Sequence, residues 1–120
     1  MIYFLLMIAA TSNGPVSLAE PLAAYERCIS QAAERLAPLV KSSGPQSAVE
    51  SERVAEKAVE ACNAERKILK SAAVELLTSK PEYKGRTDLD AQAEAALKPI
   101  EAMFKNDARL SALLAFGGRK

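Results

Sequence analysis

The sequence has no histidine and no tryptophan, and only two cysteines and five glycines among 120 residues. Each scarcity removes a class of function. Without histidine there is no Ser-His or Cys-His nucleophilic pair, and the commonest metal ligand is missing. The two cysteines, Cys28 and Cys62, are too far apart in sequence for a C-x-x-C redox pair. No glycine-rich phosphate loop is present. Sixteen Lys/Arg balance fifteen Asp/Glu, and the two signs are interspersed. With no basic block, a nucleic-acid or anionic-membrane partner is not expected. No cofactor or metal is expected either.

Valine, isoleucine and threonine are sparse, whereas alanine is the commonest residue. Alanine has the best intrinsic helix propensity, so the fold class is all-α. Alanine also buries little area per residue, so the core must be thin. Such a domain benefits from a covalent staple or a partner subunit.

Met1 to Ala10 is almost wholly apolar and carries no charged side chain. Thr11, Ser12, Asn13 and Gly14 follow, and Ser17 and Ala19 are small residues flanking Leu18. The pattern is that of a secretory leader spanning residues 1–19, cut after Ala19. The alternative is a retained membrane anchor, but the apolar run is about half the ~20 residues a spanning helix needs. Export places the chain in the periplasm or outside the cell. Residues 20–120 then form a single helical domain.

The first helix is expected from about Pro21 to Lys41, with Tyr25, Cys28, Ile29, Ala32, Leu36 and Leu39 on one face. Pro38 either kinks it near Glu34 or ends it at Ala37, and the placing of Leu39 and Val40 on the apolar side favours a kink. Ser42-Ser43-Gly44-Pro45 is the clearest turn signal. A second helix of roughly thirty-four residues follows, from about Pro45 to Thr78. Its apolar stripe contains Ala48, Ser51, Ala55, Ala58, Val59, Cys62, Leu69, Ala73 and Leu76, widened on one side by Val54, Ala61, Ile68 and Ala72. After a Lys80–Arg86 loop, a third helix is expected over about 88–116, kinked at Pro99 and possessing a second break point at Asn106-Asp107. Its apolar side holds Leu89, Ala93, Ala96, Leu97, Ile100, Met103, Phe104 and Leu114.

Cys28 lies fourteen residues before Ser42, and Cys62 sixteen after Gln46. In an antiparallel hairpin they sit at nearly the same height, about 3 Å apart along the axis. Small neighbours such as Ala32, Ala55 and Ala58 permit the close approach a disulfide needs. The expected architecture is a disulfide-stapled antiparallel helical hairpin with a third, Pro-kinked helix packed against it, a small three-helix bundle. Reduced core cysteines or an intermolecular bridge are the alternatives.

The pairs Glu52/Glu56 and Glu56/Glu60 have a spacing that can bind metal, but lysine and arginine lie among them and the apolar stripe is elsewhere. They read as a solvated face. Arg35 and Arg66 flank the cysteine-bearing faces, snorkelling or pairing with a carboxylate. A possible interaction surface comprises Leu76 and Leu77 at the end of the long helix, with Tyr83, Lys84 and Arg86 in the loop beyond. These features point to a non-enzymatic, exported protein-interaction module, its partner another protein or a second copy. A purely structural, self-associating module is the alternative, and a small carboxylate-dependent enzyme is the least favoured.

A bridge between Cys28 and Cys62 is worth roughly 4 kcal/mol by loop-closure entropy, comparable to the whole stability of a small domain. Reduction with dithiothreitol is therefore expected to lower the melting temperature by many degrees in a thermal scan. An unchanged transition would mean that the bridge is absent or irrelevant.

Overall fold

The computed structural model describes residues 17–41 and 44–117. The expected leader falls mainly on residues 1–16, outside the described residues. Its expected cut, after Ala19, falls at the start of the first described helix. Among the described residues there are four α-helices and no strand: α1 (Ala19–Leu36), α2 (Gln46–Ala61), α3 (Asn63–Thr78) and α4 (Leu89–Gly117). None is long and apolar enough to cross a membrane.

α1 stops at Leu36 rather than continuing through a kink to Lys41. Ala37–Leu39 forms one 3-10 turn with Pro38 inside it, and Val40 is extended. Proline has no N–H to give the carbonyl of Glu34, so the α-helical ladder ends and a tighter turn takes over. Leu39, assigned from its spacing to the apolar face, is 77% exposed as a consequence. At Gly44 the backbone is left-handed (φ 61°), a conformation that favours glycine. The N–H of Ser47 then bonds the Gly44 carbonyl as α2 begins.

The single long helix expected from Pro45 to Thr78 is two helices of sixteen residues each. The break is Cys62, at φ −107° and ψ 24°, whose N–H bonds the Val59 carbonyl. Cys62 is fully buried and bonded to Cys28, with the two Cα atoms 5.9 Å apart. Because Cα atoms sit about 2.3 Å from their helix axis, that spacing is the one expected of facing residues on helices whose axes lie about 10 Å apart. The expected stripe survives the break at Ser51, Val54, Ala55, Ala58, Leu69 and Ala73, while Ala48, expected on it near the start of α2, and Ala61 and Ile68 on its margin are exposed. Buried Ser51 is satisfied by donating its hydroxyl to the Ala48 carbonyl at 2.9 Å.

α4 is continuous through Pro99 and through Asn106-Asp107, where a second break was expected. Its buried residues are Ala93, Leu97, Phe104, Ala108, Ala112 and Phe116, so beyond Phe104 the core stripe advances in steps of four. Ala96, Met103 and Leu114, which simple spacing placed inside, are exposed. α4 packs on all three other helices. It runs in the direction of α1, as Tyr25 meets Phe104 while Ile29 and Ser30 lie by Ala108 and Ser111.

Half of the buried apolar residues are alanines, including Ala32, Ala55, Ala58, Ala93 and Ala112 at full burial. Helices meeting through methyl groups leave no room for longer side chains. Ala58→Leu is expected to destabilise the domain by about 1–3 kcal/mol through overpacking. Ala61→Leu, on the exposed side of the same helix, should be close to neutral. Urea denaturation of the two variants distinguishes a tight alanine seam from a loose one, in which both would behave alike.

Candidate functional site

The densest polar constellation joins α1, α3 and α4. Arg66 and Lys70 are four apart on α3, so they share a face. Asp90, Glu94 and Glu101 occupy one side of α4 by the same logic. The Arg66 Nη2 donates to Glu94 Oε1 at 2.5 Å and its Nε donates to Glu101 Oε2 at 2.6 Å. The Tyr25 hydroxyl donates to the same Glu101 oxygen at 2.7 Å. Lys70 extends the chain of charges, its Nζ lying 3.1 Å from Asp90 and 3.4 Å from Glu94.

Tyr25 is buried, with its ring edge-on to Phe104 at a centroid distance of 5.8 Å. Its one polar atom therefore needs an internal partner, which Glu101 provides. Burial, reinforced by the hydrogen bond and charge of Glu101, pushes its pKa well up from the ordinary value of 10.0. The hydrogen bonds from Arg66 hold Glu94 below the usual carboxylate range, against the opposing effect of burial. Arg66, bonded to both carboxylates, is held even more firmly in its charged form. The arrangement orients three helices. It does not offer a free acid or base, since the carboxylates it gathers are engaged by Arg66 and Lys70.

A second cluster brings Glu65 to the bridge, with its carboxylate and the sulfurs of Cys28 and Cys62 within 4.8 Å of one another. Metal ligation by cysteine requires thiolates, and both sulfurs are committed to the disulfide. Of the α2 carboxylates, Glu52 pairs with Lys105 on α4 at 3.1 Å, whereas Glu56 and Glu60 are exposed.

The loop surface suggested by the sequence is assembled differently from a free cationic patch. Leu76 and Leu77 are half-buried at the end of α3, and Tyr83 is half-buried in the 3-10 turn Pro81–Tyr83. Arg86 lies over the Tyr83 ring at 5.4 Å and forks onto Asp88. Lys84 is exposed. The same loop needs a left-handed Gly85, at φ 81°. Arg35 is exposed.

A shallow groove of about 250 Å³ separates α1 from α4, bordered by Glu26, Arg27, Ser30, Asp107 and Ser111 with the buried Ile29 and Phe104 beneath. Beside it runs a surface that sequence spacing had assigned in part to the core. Met103, Leu110 and Leu114 are 50%, 45% and 79% exposed, at steps of seven and four along α4. Sequence reasoning passed over this outer face because a helix with apolar residues nearly all round does not declare which side is buried. It also passed over the acidic residues Glu94 and Glu101, whose seven-residue spacing places them on one side of the helix. Pairing of Arg66 with a carboxylate was among the sequence expectations.

No protein-family model, curated protein or solved structure matches the chain. Its function therefore rests on its own geometry.

The two pKa shifts give opposite limbs to the pH profile. Tyr25, raised on folding, contributes fully below its unfolded value of 10.0, and that contribution is lost as pH climbs above it. Glu94, lowered on folding, contributes fully above its unfolded value of 4.5, and that is lost as pH falls towards the folded value. Tyr25→Phe is expected to cost about 1 kcal/mol or more at neutral pH and to flatten the alkaline limb. Glu94→Gln should flatten the acid limb. Urea midpoints measured across pH check both, and an unaltered alkaline limb in Tyr25→Phe would exclude Tyr25 as its source.

Proposed function

We propose that the protein is an exported, non-enzymatic helical module that works by docking a protein against the outer face of α4. The carrying observation is the chemistry of that face. Ala96, Pro99, Met103, Leu110 and Leu114 are all exposed on it. A solvated helix face ordinarily carries charges, as α2 does with Arg53, Glu56, Lys57 and Glu60 exposed. An apolar stripe on a folded surface marks an interaction site.

The disulfide supports export, since such bonds persist in oxidising compartments. On this reading Cys28–Cys62 staples an antiparallel hairpin of α1 against the α2–α3 run, α4 bends at Pro99, and the leader of residues 1–19 is removed. The end of the molecule, with Leu76, Leu77, Tyr83, Lys84 and Arg86, serves as a secondary contact. It is favoured by the half-buried leucines beside the exposed Lys84 ammonium. An enzymatic role is not proposed, because the carboxylates gathered around Arg66 are already paired.

The test is a pull-down under non-reducing conditions with three baits: the wild type, Leu110→Glu/Leu114→Glu, and Glu56→Lys as a control on the solvated α2 face. A protein retained by the wild type and the control, and lost with the double variant, is the expected result. Identical retention on all three baits would remove α4 from the docking surface.

A further inference from the structure

The Cys28–Cys62 bridge has a third group beside it. The Glu65 carboxylate and the two sulfurs lie within 4.8 Å of one another. The fold brings them together. Cys28 comes from α1, Cys62 is the residue between α2 and α3, and Glu65 stands in the first turn of α3. Glu65 is half-buried, and among the described residues it makes no hydrogen bond or ion pair. The other half-buried carboxylates of α2 and α4, Glu50, Glu52, Glu94 and Glu101, each meet an arginine or a lysine.

Opening the bridge makes these three groups a ligand set. Reduction by an external dithiol passes two electrons and two protons to the bridge, giving two thiols and leaving the dithiol as its own disulfide. Each thiol gives up its proton when it binds a metal as thiolate. Two thiolates and a carboxylate put three negative charges into one half-buried corner, where they repel one another unless a cation joins them. Cys62 immediately precedes α3, whose first-turn N–H groups favour the thiolate.

We infer that the reduced protein holds one thiophilic divalent ion of the zinc class at this corner, with Cys28 Sγ, Cys62 Sγ and one Glu65 carboxylate oxygen as its ligands. Zinc lies about 2.3 Å from sulfur and about 2.0–2.2 Å from carboxylate oxygen, so tetrahedral ligand atoms stand about 3.6–3.8 Å apart. The carboxylate, within 4.8 Å of both sulfurs, closes to that spacing by side-chain rotation while the sulfurs part. Cα atoms 5.9 Å apart allow the sulfurs to part without backbone movement. Soft thiolates select a zinc-class ion over magnesium or calcium. Cys62 is fully buried whereas Cys28 and Glu65 are half-buried, so the fourth position faces outward and takes water, as in other three-ligand zinc sites. The ion and the bridge are alternatives at one place, each tying α1 to the α2–α3 run. Reoxidation by an external disulfide takes two electrons from the thiolates, remakes the bridge and releases the ion.

The test uses the protein reduced with a phosphine, which becomes its phosphine oxide and leaves no competing thiol. Titration with Co²⁺ as the probe is expected to load one ion per chain. The signature is a sulfur-to-cobalt charge-transfer band with the strong visible bands of a tetrahedral ion, bleached by Zn²⁺. The oxidised protein should show neither. Glu65→Gln should keep the charge-transfer band while binding Co²⁺ at least about tenfold more weakly, the least that loss of even an outer-shell partner costs a metal site. Zn²⁺ should raise the melting temperature of the reduced wild type and leave that of Cys28→Ser/Cys62→Ser unchanged. A reduced wild type without the charge-transfer band, or without a thermal shift on adding Zn²⁺, would overturn the site. Equal Co²⁺ affinity in wild type and Glu65→Gln would overturn the three-ligand set.

Discussion

The close approach of α1 to the α2–α3 junction sets the terms for the rest of the molecule. At Cys28 and Cys62 the Cα atoms lie 5.9 Å apart, so the two backbones face each other directly across the contact. Only small side chains fit around such a contact, and Ala32, Ala55 and Ala58 are fully buried. A core of methyl groups gains little by area, because apolar burial is worth about 25 cal/mol per Å². The bridge offsets that weakness by limiting the unfolded chain rather than by adding native contacts.

The network around Arg66 solves a different problem. No disulfide ties α4 to the other helices, and alanine surfaces specify sliding and rotation poorly. Arg66 bonded to residues two turns apart on α4, Glu94 and Glu101, fixes the helix along its axis. Tyr25 on the shared Glu101 oxygen ties α1 into the same register. Pairs at this degree of burial repay little in net stability once desolvation is counted. Their value lies in geometry. Any axial slip of α4 would leave a buried tyrosine hydroxyl and a guanidinium without their partners, at a cost of about 1–3 kcal/mol for each unsatisfied group.

The sequence makes the helical class and the cysteine pairing legible, because composition and spacing both depend on local backbone geometry. Cys28 and Cys62 count out to equal heights about the Gly44 turn, and Ser51, Ala55, Ala58 and Leu69 fall on the stripe that is buried. Three features are not legible in that way. The break at Cys62 falls in a run without proline or glycine, in a pattern otherwise suited to a continuous helix. Leu39 has the spacing of a core residue but lies beyond the point where Pro38 ends the ladder. For α4, apolar residues surround the helix, so its inner face is decided by the partners it meets. Phe116 and Ala112 go in while Leu114 stays out.

That last ambiguity bears directly on function. The outer face of α4 is exposed in the monomer, yet its apolar composition is that of a helix covered on both sides. Across the other helices, charge separates the buried from the solvated side. Glu26 and Glu34 stand off the stripe of α1, and Glu56 and Lys57 stand off that of α2. α4 carries no charged residue from Leu110 to Gly117. A thin alanine core gives the isolated domain little stability to spare, so an exposed leucine row is a liability unless association covers it. A partner docked on α4 as proposed would bury that row and leave the Arg66 network untouched, because Glu94 and Glu101 lie on the opposite side of the helix. Substitution at Leu110 would then act on the contact, and substitution at Ala58 on folding first.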